Sequence, residues 1–263
     1  MDSRDDPRLS ADGLVGAARP IVDNVLVFRR IDSTHACALR MIEQAEAEEV
    51  VLPATLIIAG EQERGQGRAG RSWVSPPGGL YLSWLAAGIA PETVAQLPMI
   101  AAAAAHEAVV RLGIERAVIK WPNDLLVDGR KLAGLLFHAR HGTTTWVVIS
   151  IGVNLIDAPS IPDDHANPTA AVADFVPGGD RRLWAESLVK VFTRELHDGI
   201  DNPTKQIARW RERLAHREGD EMVVRRGDGS EICGRFVGLT DEGHLRLEAE
   251  GTEHRISAGD VIE

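Results

Sequence analysis

An Asp-Gly pair between two apolar runs restricts the fold of this chain more than any other short feature. Leu125-Leu126-Val127 precedes Asp128-Gly129, and a second β-rich run extends over residues 131–138. A two-residue Asp-Gly loop favours a type I′ turn, whose twist matches that of two antiparallel strands. The sequence therefore predicts a β-hairpin near the middle of the chain, within a sheet that contains antiparallel pairs.

Strands and helices alternate on either side of this hairpin. Further strands are predicted over 25–31, 54–61, 80–86, 118–121 and 144–153, and helices over 35–48, 93–112, 181–197 and 204–217. From residue 221 onwards, short alternating strands are separated by turns, which is typical of a small SH3-like β-barrel. We therefore expect an α+β fold, with helices packed on a mixed sheet and an all-β C-terminal domain.

These patterns divide the chain into three segments. Residues 1–24 are polar and interrupted by Pro and Gly, and are predicted to be an N-terminal tail. Residues 25–216 are predicted to form the main domain, and residues 217–263 the small β domain. No signal-peptide core is visible and no apolar run reaches the ~20 residues of a membrane helix. Cys37 and Cys233 lie in apolar patterns and are predicted to be small core residues and not a disulfide framework, so a reducing compartment and a cytoplasmic location are expected.

The segment Gly65-Gln66-Gly67-Arg68-Ala69-Gly70-Arg71-Ser72-Trp73 combines glycines with two arginines. Glycines allow a ligand to approach the backbone, and arginines can hold a phosphate or carboxylate through paired hydrogen bonds. The segment is neither a Walker A motif nor a dinucleotide-binding loop. A flexible surface loop with solvated arginines is the alternative interpretation.

A second segment, Lys120-Trp121-Pro122-Asn123-Asp124, places a lysine at the end of a predicted strand. The stiff proline and the large indole ring are expected to fix the position of the ammonium group. A fixed positive charge suits chemistry in which negative charge develops on a phosphate. The alternative is an edge-strand lysine beside a structural turn.

Taken together, these segments resemble the biotin–protein ligases. That family shows a Gly-Arg-Gly-Arg-x-Gly-Arg loop, a Lys-Trp-Pro-Asn-Asp segment and a Lys-Leu-Ala-Gly-Ile/Leu-Leu segment, which corresponds to residues 131–136. Its Ser-Thr-Asn and Gly-x-Gly-x-Asn motifs correspond to residues 33–35 and 150–154. The resemblance covers residues 25–263 and implies the class II synthetase-like biotin–lipoate ligase fold, in a stand-alone form without an N-terminal DNA-binding domain.

Three positions depart from the family pattern. His35 replaces the usual asparagine, Gln66 replaces the first loop arginine, and Ser150 replaces the first glycine of the later motif. The missing charge at Gln66 is expected to weaken retention of an adenylate. We interpret the three changes as tuning; a different acyl substrate or a loss of activity are the alternatives.

The resemblance implies two overlapping groups of site residues. Biotin would be bound by Ser33, Thr34, His35, Gln62, Gln66, Gly67, Arg68, Lys120, Gly134 and Gly152. ATP or the adenylate would be bound by Gly65, Arg68, Gly70, Arg71, Trp73, Asn123, Asp124, Lys131 and Asn154. Lys120 and Arg68 would be the catalytic pair. Simpler interpretations remain, because Ser33 and Thr34 could merely cap a helix and Trp73 could merely pack.

No protein metal site is expected, because the nine histidines lack metal-ligand spacing. Magnesium would instead arrive with ATP. Whether Asp124 helps to hold magnesium or Lys120 stays open in the sequence.

The implied activity is that of an ATP-dependent, AMP-forming ligase, which makes biotinyl-5′-AMP and transfers biotin to a lysine of a biotin carboxyl carrier domain. A lipoate- or octanoate-type ligase of the same fold is one alternative, and a non-catalytic biotin- or adenylate-binding sensor is another. A repressor is disfavoured, since 24 residues before the first strand are too few for a winged helix-turn-helix and the net charge is −10. Neither nucleic acid nor membrane is expected as a partner; the identity of the acceptor carboxylase and homodimerisation are left open.

Overall fold

A seven-stranded mixed sheet is the frame on which the rest of the molecule is built. The structure is a computed structural model that describes residues 9–19, 21–159 and 167–262. The strands are β1 (Asn24–Phe28), β2 (Thr55–Ala59), β3 (Gly79–Ala87), β4 (Ala117–Lys120), β5 (Asp124–Val127), β6 (Arg130–Arg140) and β7 (Trp146–Asn154). Their order is β1-β2-β3-β7-β6-β5-β4; β1 and β2 are parallel, and the other neighbours are antiparallel.

The predicted hairpin is present as β5 and β6. Asp128 and Gly129 have φ values of 51° and 74°, so both central residues occupy the left-handed region that a type I′ turn requires. This turn pairs Val127 with Arg130, and a register shift between Leu125 and Leu126 then places Leu125 opposite Ala133 and Asp124 opposite Gly134.

Helices cover both faces of the sheet. They are α1 (Ala11–Ala18), α2 (Thr34–Ala47), α3 (Pro91–Val110), α4 (Arg181–Asp201) and α5 (Pro203–Glu212). On one face, α2 packs through Ala38, Ile42 and Ala45 onto side chains of β2, β3 and β7. On the other, α3 lies against α4 and α5 within the larger apolar core.

A second sheet, antiparallel and five-stranded, forms the C-terminal part. It comprises β8 (Glu221–Arg225), β9 (Glu231–Leu239), β10 (Leu245–Ala249), β11 (Thr252–Ile256) and β12 (Asp260–Val261), in the order β11-β10-β9-β8-β12. This agrees with the predicted small β-barrel, and the predicted fold class is confirmed. The indole Nε1–H of Trp121 donates to the carbonyl of Gly243 over 3.0 Å, which ties the barrel to the main sheet next to β4.

The N-terminal segment differs from the predicted polar tail. Residues 11–18 form helix α1, in which Leu14 and Ala18 are completely buried. Side chains four residues apart lie on the same face of a helix, and this short apolar face packs against α4. A Cβ atom at Gly13 would meet only the carboxyl end of the Glu186 side chain, which can move away. The glycines of this segment are therefore accommodated within the helix and do not interrupt it.

Two further expectations need correction. Cys37 is half-buried, but Cys233 is exposed on β9 and is no core residue. Helix α3, with 20 residues, is long and apolar enough to cross a membrane by length and composition, although no apolar run of that length had been expected. Two thirds of its apolar window is buried in the molecule, as in the core helix of a soluble protein, so this one match among the described residues is weak evidence for a membrane span.

Candidate active site

A pocket opens on the α2 face of the main sheet. The start of helix α2, the loop over residues 65–73 and the end of β12 all contribute to its lining. Its lining includes most of the predicted residues: Ser33, Thr34, His35, Gln62, Gln66, Gly67, Arg68, Arg71, Trp73, Lys120, Asn123, Asp124, Lys131, Gly134 and Gly152. The structure thus brings together segments that are more than 100 positions apart in the chain.

The start of α2 supplies two hydroxyl groups to the pocket. Ser33 is the N-cap, and its Oγ accepts a hydrogen bond from the backbone N–H of Ala36. Thr34 donates through its backbone N–H to Gln62 Oε1 over 2.8 Å and through its hydroxyl to the same oxygen over 3.1 Å. Ser33 therefore caps the helix, and both Ser33 and Thr34 line the pocket. One role does not exclude the other.

The glycine–arginine loop folds back on itself. The N–H of Gly67 donates to the carbonyl of Arg71 over 2.8 Å, and that of Trp73 donates to the carbonyl of Gly65 over 2.9 Å. A Cβ atom at Gly65 would collide with the carbonyl oxygen of Trp73 and the hydroxyl of Ser75, so glycine is required there. The N–H groups of Gly67 and Trp73 are therefore used within the loop and are not available to an anion in this conformation.

Arg68 and Arg71 share one carboxylate, which belongs to the barrel. Asp260 Oδ1 lies 3.3 Å from Nη1 of Arg68 and 2.9 Å from Nη2 of Arg71. Arg68 also donates to Asn123 Oδ1 and to the carbonyl of Gly259, each over 3.2 Å. Burial lowers the pKa of Arg68, and Asp260 partly offsets that effect. The guanidinium is therefore held at the pocket wall by three acceptors.

Lys120 ends β4 and is oriented by its neighbours. Trp121 is buried and donates through its backbone N–H to His216 Nε2 over 3.2 Å. Lys120 Nζ donates to Asn167 Oδ1 over 2.5 Å. Burial lowers the pKa of the Lys120 ammonium, against a smaller opposing effect of Asp124. Among the described residues, Lys120 is the one cation in the pocket lining without a carboxylate at ion-pair distance.

Asp124 pairs with Lys131 in this structure. The two side chains meet at 2.8 Å between Asp124 Oδ2 and Lys131 Nζ. The other carboxylate oxygen, Oδ1, is buried and has no hydrogen-bond partner in the described part of the chain. The ammonium of Lys131 also lies 5.2 Å from the ring centroid of Trp73, at a distance typical of cation–π contacts.

The indole of Trp73 rests on two glycines. Gly134 on β6 and Gly152 on β7 are register partners, and a Cβ atom at either position would collide with the Trp73 ring. The indole Nε1–H is buried and unpartnered among the described residues. The paired glycines therefore let the indole ring lie directly on the sheet, with its N–H next to Gly152.

Two of the three departing positions are in direct contact. Nδ1 of His35 and the Oγ of Ser150 are 2.8 Å apart, and both side chains are more than 90% buried. Burial, with a smaller contribution from His138, lowers the pKa of His35 to about 4. The third position, Gln66, is exposed at the pocket rim.

Three predicted residues lie outside the pocket lining. Asn154 is buried and its amide donates to the carbonyl of Ala170 over 3.0 Å, so it joins β7 to the segment that follows. Gly65 is buried beneath the returning loop, and Gly70 lies in the turn with a φ of 74° and open space around it.

Sequence reasoning missed several residues that the pocket contains. Asp260, Val261 and Ile262 come from β12 and its end, and Asn167 follows a segment outside the described residues. None of them belongs to a local motif. Only the charge of Asp260 could have served as a signal, because two loop arginines require a counter-ion.

Both parts of the fold match families of known proteins. The model described as "Biotin/lipoate A/B protein ligase family" matches residues 27–155, and that of the "Biotin protein ligase C terminal domain" matches residues 221–262. The chain is similar to a biotin--[acetyl-CoA-carboxylase] ligase of Paracoccus denitrificans, at 32% identity over 253 residues that cover 90% of this chain and 99% of the relative.

Two further similarities extend this comparison. The bifunctional ligase/repressor BirA of Bacillus subtilis is 29% identical over 79% of this chain, which spans 65% of that longer relative. Among solved structures, the biotin protein ligase from Aquifex aeolicus in complex with biotin and ATP matches with a TM-score of 0.68. That match covers 91% of this chain and 97% of the other at 23% identity, and so shows the fold.

Proposed function

Because the chain belongs to the biotin/lipoate A/B protein ligase family and, within it, is a biotin ligase, we propose that it forms biotinyl-5′-AMP from biotin and ATP and transfers biotin to a lysine of a biotin carboxyl carrier domain. The relatives from Paracoccus denitrificans and Mycobacterium tuberculosis, named biotin--[acetyl-CoA-carboxylase] ligases, are matched over 99% and 95% of their lengths. Such a carrier domain is accordingly the acceptor that we propose.

The observation that carries the proposal is the convergence of Lys120 and Arg68 on one pocket. The side chain of Arg68 is 23% exposed, and Asn123, Gly259 and Asp260 hold its guanidinium in place. Lys120 approaches from the end of β4 without a carboxylate partner in the described chain. Positive groups fixed in a partly buried site stabilise developing negative charge more strongly than they would in water.

In the first step, the biotin carboxylate attacks the α-phosphate of ATP and pyrophosphate leaves. Lys120 and Arg68 would hold the carboxylate and phosphate oxygens together and stabilise the charge of the transition state. Trp73, which lies on Gly134 and Gly152, would border the adenosine.

In the second step, the neutral amine of the acceptor lysine attacks the acyl carbonyl of the mixed anhydride, and AMP leaves. No nucleophile from the enzyme is needed for this transfer. Cys37 lies in α2 and Cys233 on β9, and neither lines the described pocket. Orientation of the two substrates then accounts for most of the rate enhancement.

Magnesium fits the site as a companion of ATP. The described residues contain no group of three or more His, Cys, Asp or Glu side chains that could hold a metal by themselves. Asp124 Oδ1, buried and unpartnered, is the type of oxygen ligand that Mg²⁺ uses together with phosphate oxygens. Asp124 would hold the ion, whose charge screens the phosphates when it is bound.

Two alternative functions would leave groups of the pocket without a use. A lipoate- or octanoate-type ligase would not need the polar groups at Ser33, Thr34 and Gln62, because a fatty chain has no hydrogen-bonding groups to pair with them. A non-catalytic sensor would not need Lys120 and Arg68 in the positions described. We further propose a cytoplasmic location, where carboxylase carrier domains and ATP are both present.

The adenylation step can be tested by the exchange of labelled pyrophosphate into ATP. The proposal predicts exchange that depends on biotin and is not supported by lipoate or octanoate. Exchange with octanoate but not with biotin would identify the fatty-acyl ligase instead. Tight biotin binding without any exchange would identify the sensor.

A further inference from the structure

A chain of buried hydroxyl groups connects His35 to the ligand-facing start of α2. The distances are 2.8 Å from His35 Nδ1 to Ser150 Oγ, 2.7 Å from Ser150 Oγ to Ser83 Oγ, and 2.9 Å from Ser83 Oγ to Thr34 Oγ1. Thr34 Oγ1 then donates to Gln62 Oε1. Exposure of His35, Ser150, Ser83 and Thr34 is 8% or less.

The donor-to-acceptor direction in this series of hydrogen bonds is fixed at its Gln62 end. The backbone N–H of Thr34 donates to Gln62 Oε1, so the amide of Gln62 must present its oxygen to Thr34. Thr34 therefore donates its hydroxyl proton to Gln62 and accepts from Ser83. Each hydroxyl has a single proton. Ser83 has then used its proton, so Ser150 must donate to Ser83, and His35 Nδ1–H must donate to Ser150.

The sheet places the two serines at the centre of this series of hydrogen bonds. Ser83 on β3 and Ser150 on β7 are register partners, and their side chains share the face that lines the pocket. His35 reaches Ser150 from the first turn of α2. His35 and Ser150, which both depart from the family pattern, thus form a pair in which His35 donates the hydrogen bond that Ser150 accepts.

The fixed direction determines what the pocket can offer a ligand. Thr34 Oγ1 has committed its proton and retains one lone pair, so it can only accept from a ligand N–H. Ser33 Oγ accepts from Ala36 N–H and keeps its own proton, so it can donate to a ligand carbonyl. Adjacent acceptor and donor groups suit a ring that carries N–H next to C=O, such as a cyclic urea.

We propose that His35 is a positioning residue: its Nδ1–H lets Ser150 donate to Ser83 and Ser83 donate to Thr34, and this holds the Thr34 hydroxyl, whose proton Gln62 takes, in place as an acceptor for a ring N–H donor. This inference rests on the proposed function and links its selectivity to two positions at which this chain departs from the family motif. His35 acts through Ser150 and needs no contact with the reacting atoms.

The test compares two substitutions at one position. The Nδ2 of an asparagine can occupy the place of the histidine Nδ1, whereas a glutamine amide reaches further, to the place of Nε2. His35→Asn is therefore expected to keep the affinity for biotin, and His35→Gln to weaken it about five- to tenfold, as for one neutral hydrogen bond. Calorimetry with biotin, and with biotin methylated on the ring nitrogen, supplies the readout. The discrimination between these two ligands should fall in His35→Gln and persist in His35→Asn.

Ser150→Ala and the double variant with His35→Gln complete the experiment. Both substitutions interrupt the same series of hydrogen bonds, so the double variant should bind biotin as weakly as either single variant. Thr193→Val removes a comparably buried hydroxyl, bonded to the carbonyl of Val189 in α4, and is the control expected to leave biotin affinity unchanged. Thermal unfolding verifies that each variant is folded.

The outcomes distinguish a failure of the proposed function from a failure of the role assigned to His35. If the wild-type protein binds no biotin, the proposed function fails and this inference fails with it. If it binds biotin while Asn and Gln at position 35 are equivalent, or while the effects of His35→Gln and Ser150→Ala multiply in the double variant, the inference alone is overturned.

Discussion

At the scale of single residues, Lys120 differs from the other cations of the pocket. Arg68 and Arg71 share Asp260, Lys131 pairs with Asp124, and Arg225 pairs with a barrel glutamate. Lys120 instead donates to the neutral amide of Asn167. Among the described cations of the pocket lining, its charge is therefore the least neutralised and the most available to a phosphate oxygen.

Lys120→Ala should leave the fold intact and slow adenylate formation roughly 10²–10³-fold, the effect expected for one preorganised charge contact. Single-turnover formation of biotinyl-5′-AMP measures this directly. Lys205→Ala, on the exposed face of α5, is a control that removes the same charge elsewhere. A near wild-type rate in Lys120→Ala would show that Lys120 is not the electrostatic anchor.

Gln66→Arg should slow the release of the adenylate, because it adds a positive charge at the pocket rim. A gain of about 1–2 kcal/mol in adenylate affinity is expected for one charged hydrogen bond to phosphate. Gln44→Arg, on the outer side of α2, adds the same charge far from the pocket and should not change release. Unchanged or faster release from Gln66→Arg would mean that position 66 does not face the phosphate.

Residues of local motifs could be predicted from the sequence, and their distant partners could not. Arg68, Trp73, Lys120 and Asp124 all line the pocket, because each belongs to a short segment whose composition already indicated a ligand. Asp260, by contrast, contacts Arg68 across 192 positions of the chain. No local pattern in residues 259–262 indicates that contact, which depends on how the barrel docks.

At the scale of structural elements, the loop over residues 65–73 and strand β12 form one unit. Asp260 partly neutralises both arginines, although Asn123 and Gly259 would still hold Arg68 without it. A phosphate that binds these arginines must therefore compete with a carboxylate that is already present.

Asp260→Asn should consequently lower the KM for ATP. The side chains of Arg68, Asp260 and Arg71 are 23%, 36% and 52% exposed, respectively. Solvent therefore weakens their interaction, and the expected change in KM is only about two- to fivefold. Steady-state kinetics at low and high salt measure it, and the difference should shrink at high salt. A raised KM would contradict this account and would show that Asp260 orders the loop for ATP.

Elements with strong local signals were predicted well, and α1 was not. The hairpin could be predicted because Asp128-Gly129 demands one turn type, and α2 because Ser33 caps an apolar periodicity. Helix α1 has only two fully buried residues, Leu14 and Ala18, and glycines that lower its helix propensity. It is stabilised by packing on α4, a tertiary effect that propensity alone does not report.

At the scale of the whole molecule, stability should depend on pH through buried histidines. Burial is the main cause that lowers the pKa of His35 and His216 to about 4, from an ordinary value of 6.5. Between these values the unfolded chain binds protons that the folded chain excludes. The free energy of unfolding therefore falls as the pH is lowered from about 6.5 towards about 4.

The contribution of His35 can be isolated with one variant. On lowering the pH from 7 to about 4.5, His35→Asn should lose less stability than the wild-type protein, by roughly 2 kcal/mol. Urea denaturation at several pH values measures the difference, and exposed His141→Asn is the matched control. Parallel pH profiles for His35→Asn and the wild type would mean that His35 is not kept neutral by burial.

The most direct test of the central claim is the intact mass of a biotin carboxyl carrier domain incubated with this protein, biotin and Mg-ATP. The account predicts an increase by one biotin less one water, at a single lysine, which requires ATP and is nearly abolished by Lys120→Ala. Octanoate or lipoate in place of biotin should give no modified carrier. A carrier domain of unchanged mass, beside a folded protein that binds biotin, would contradict the claim that this chain is a biotin ligase acting on such domains.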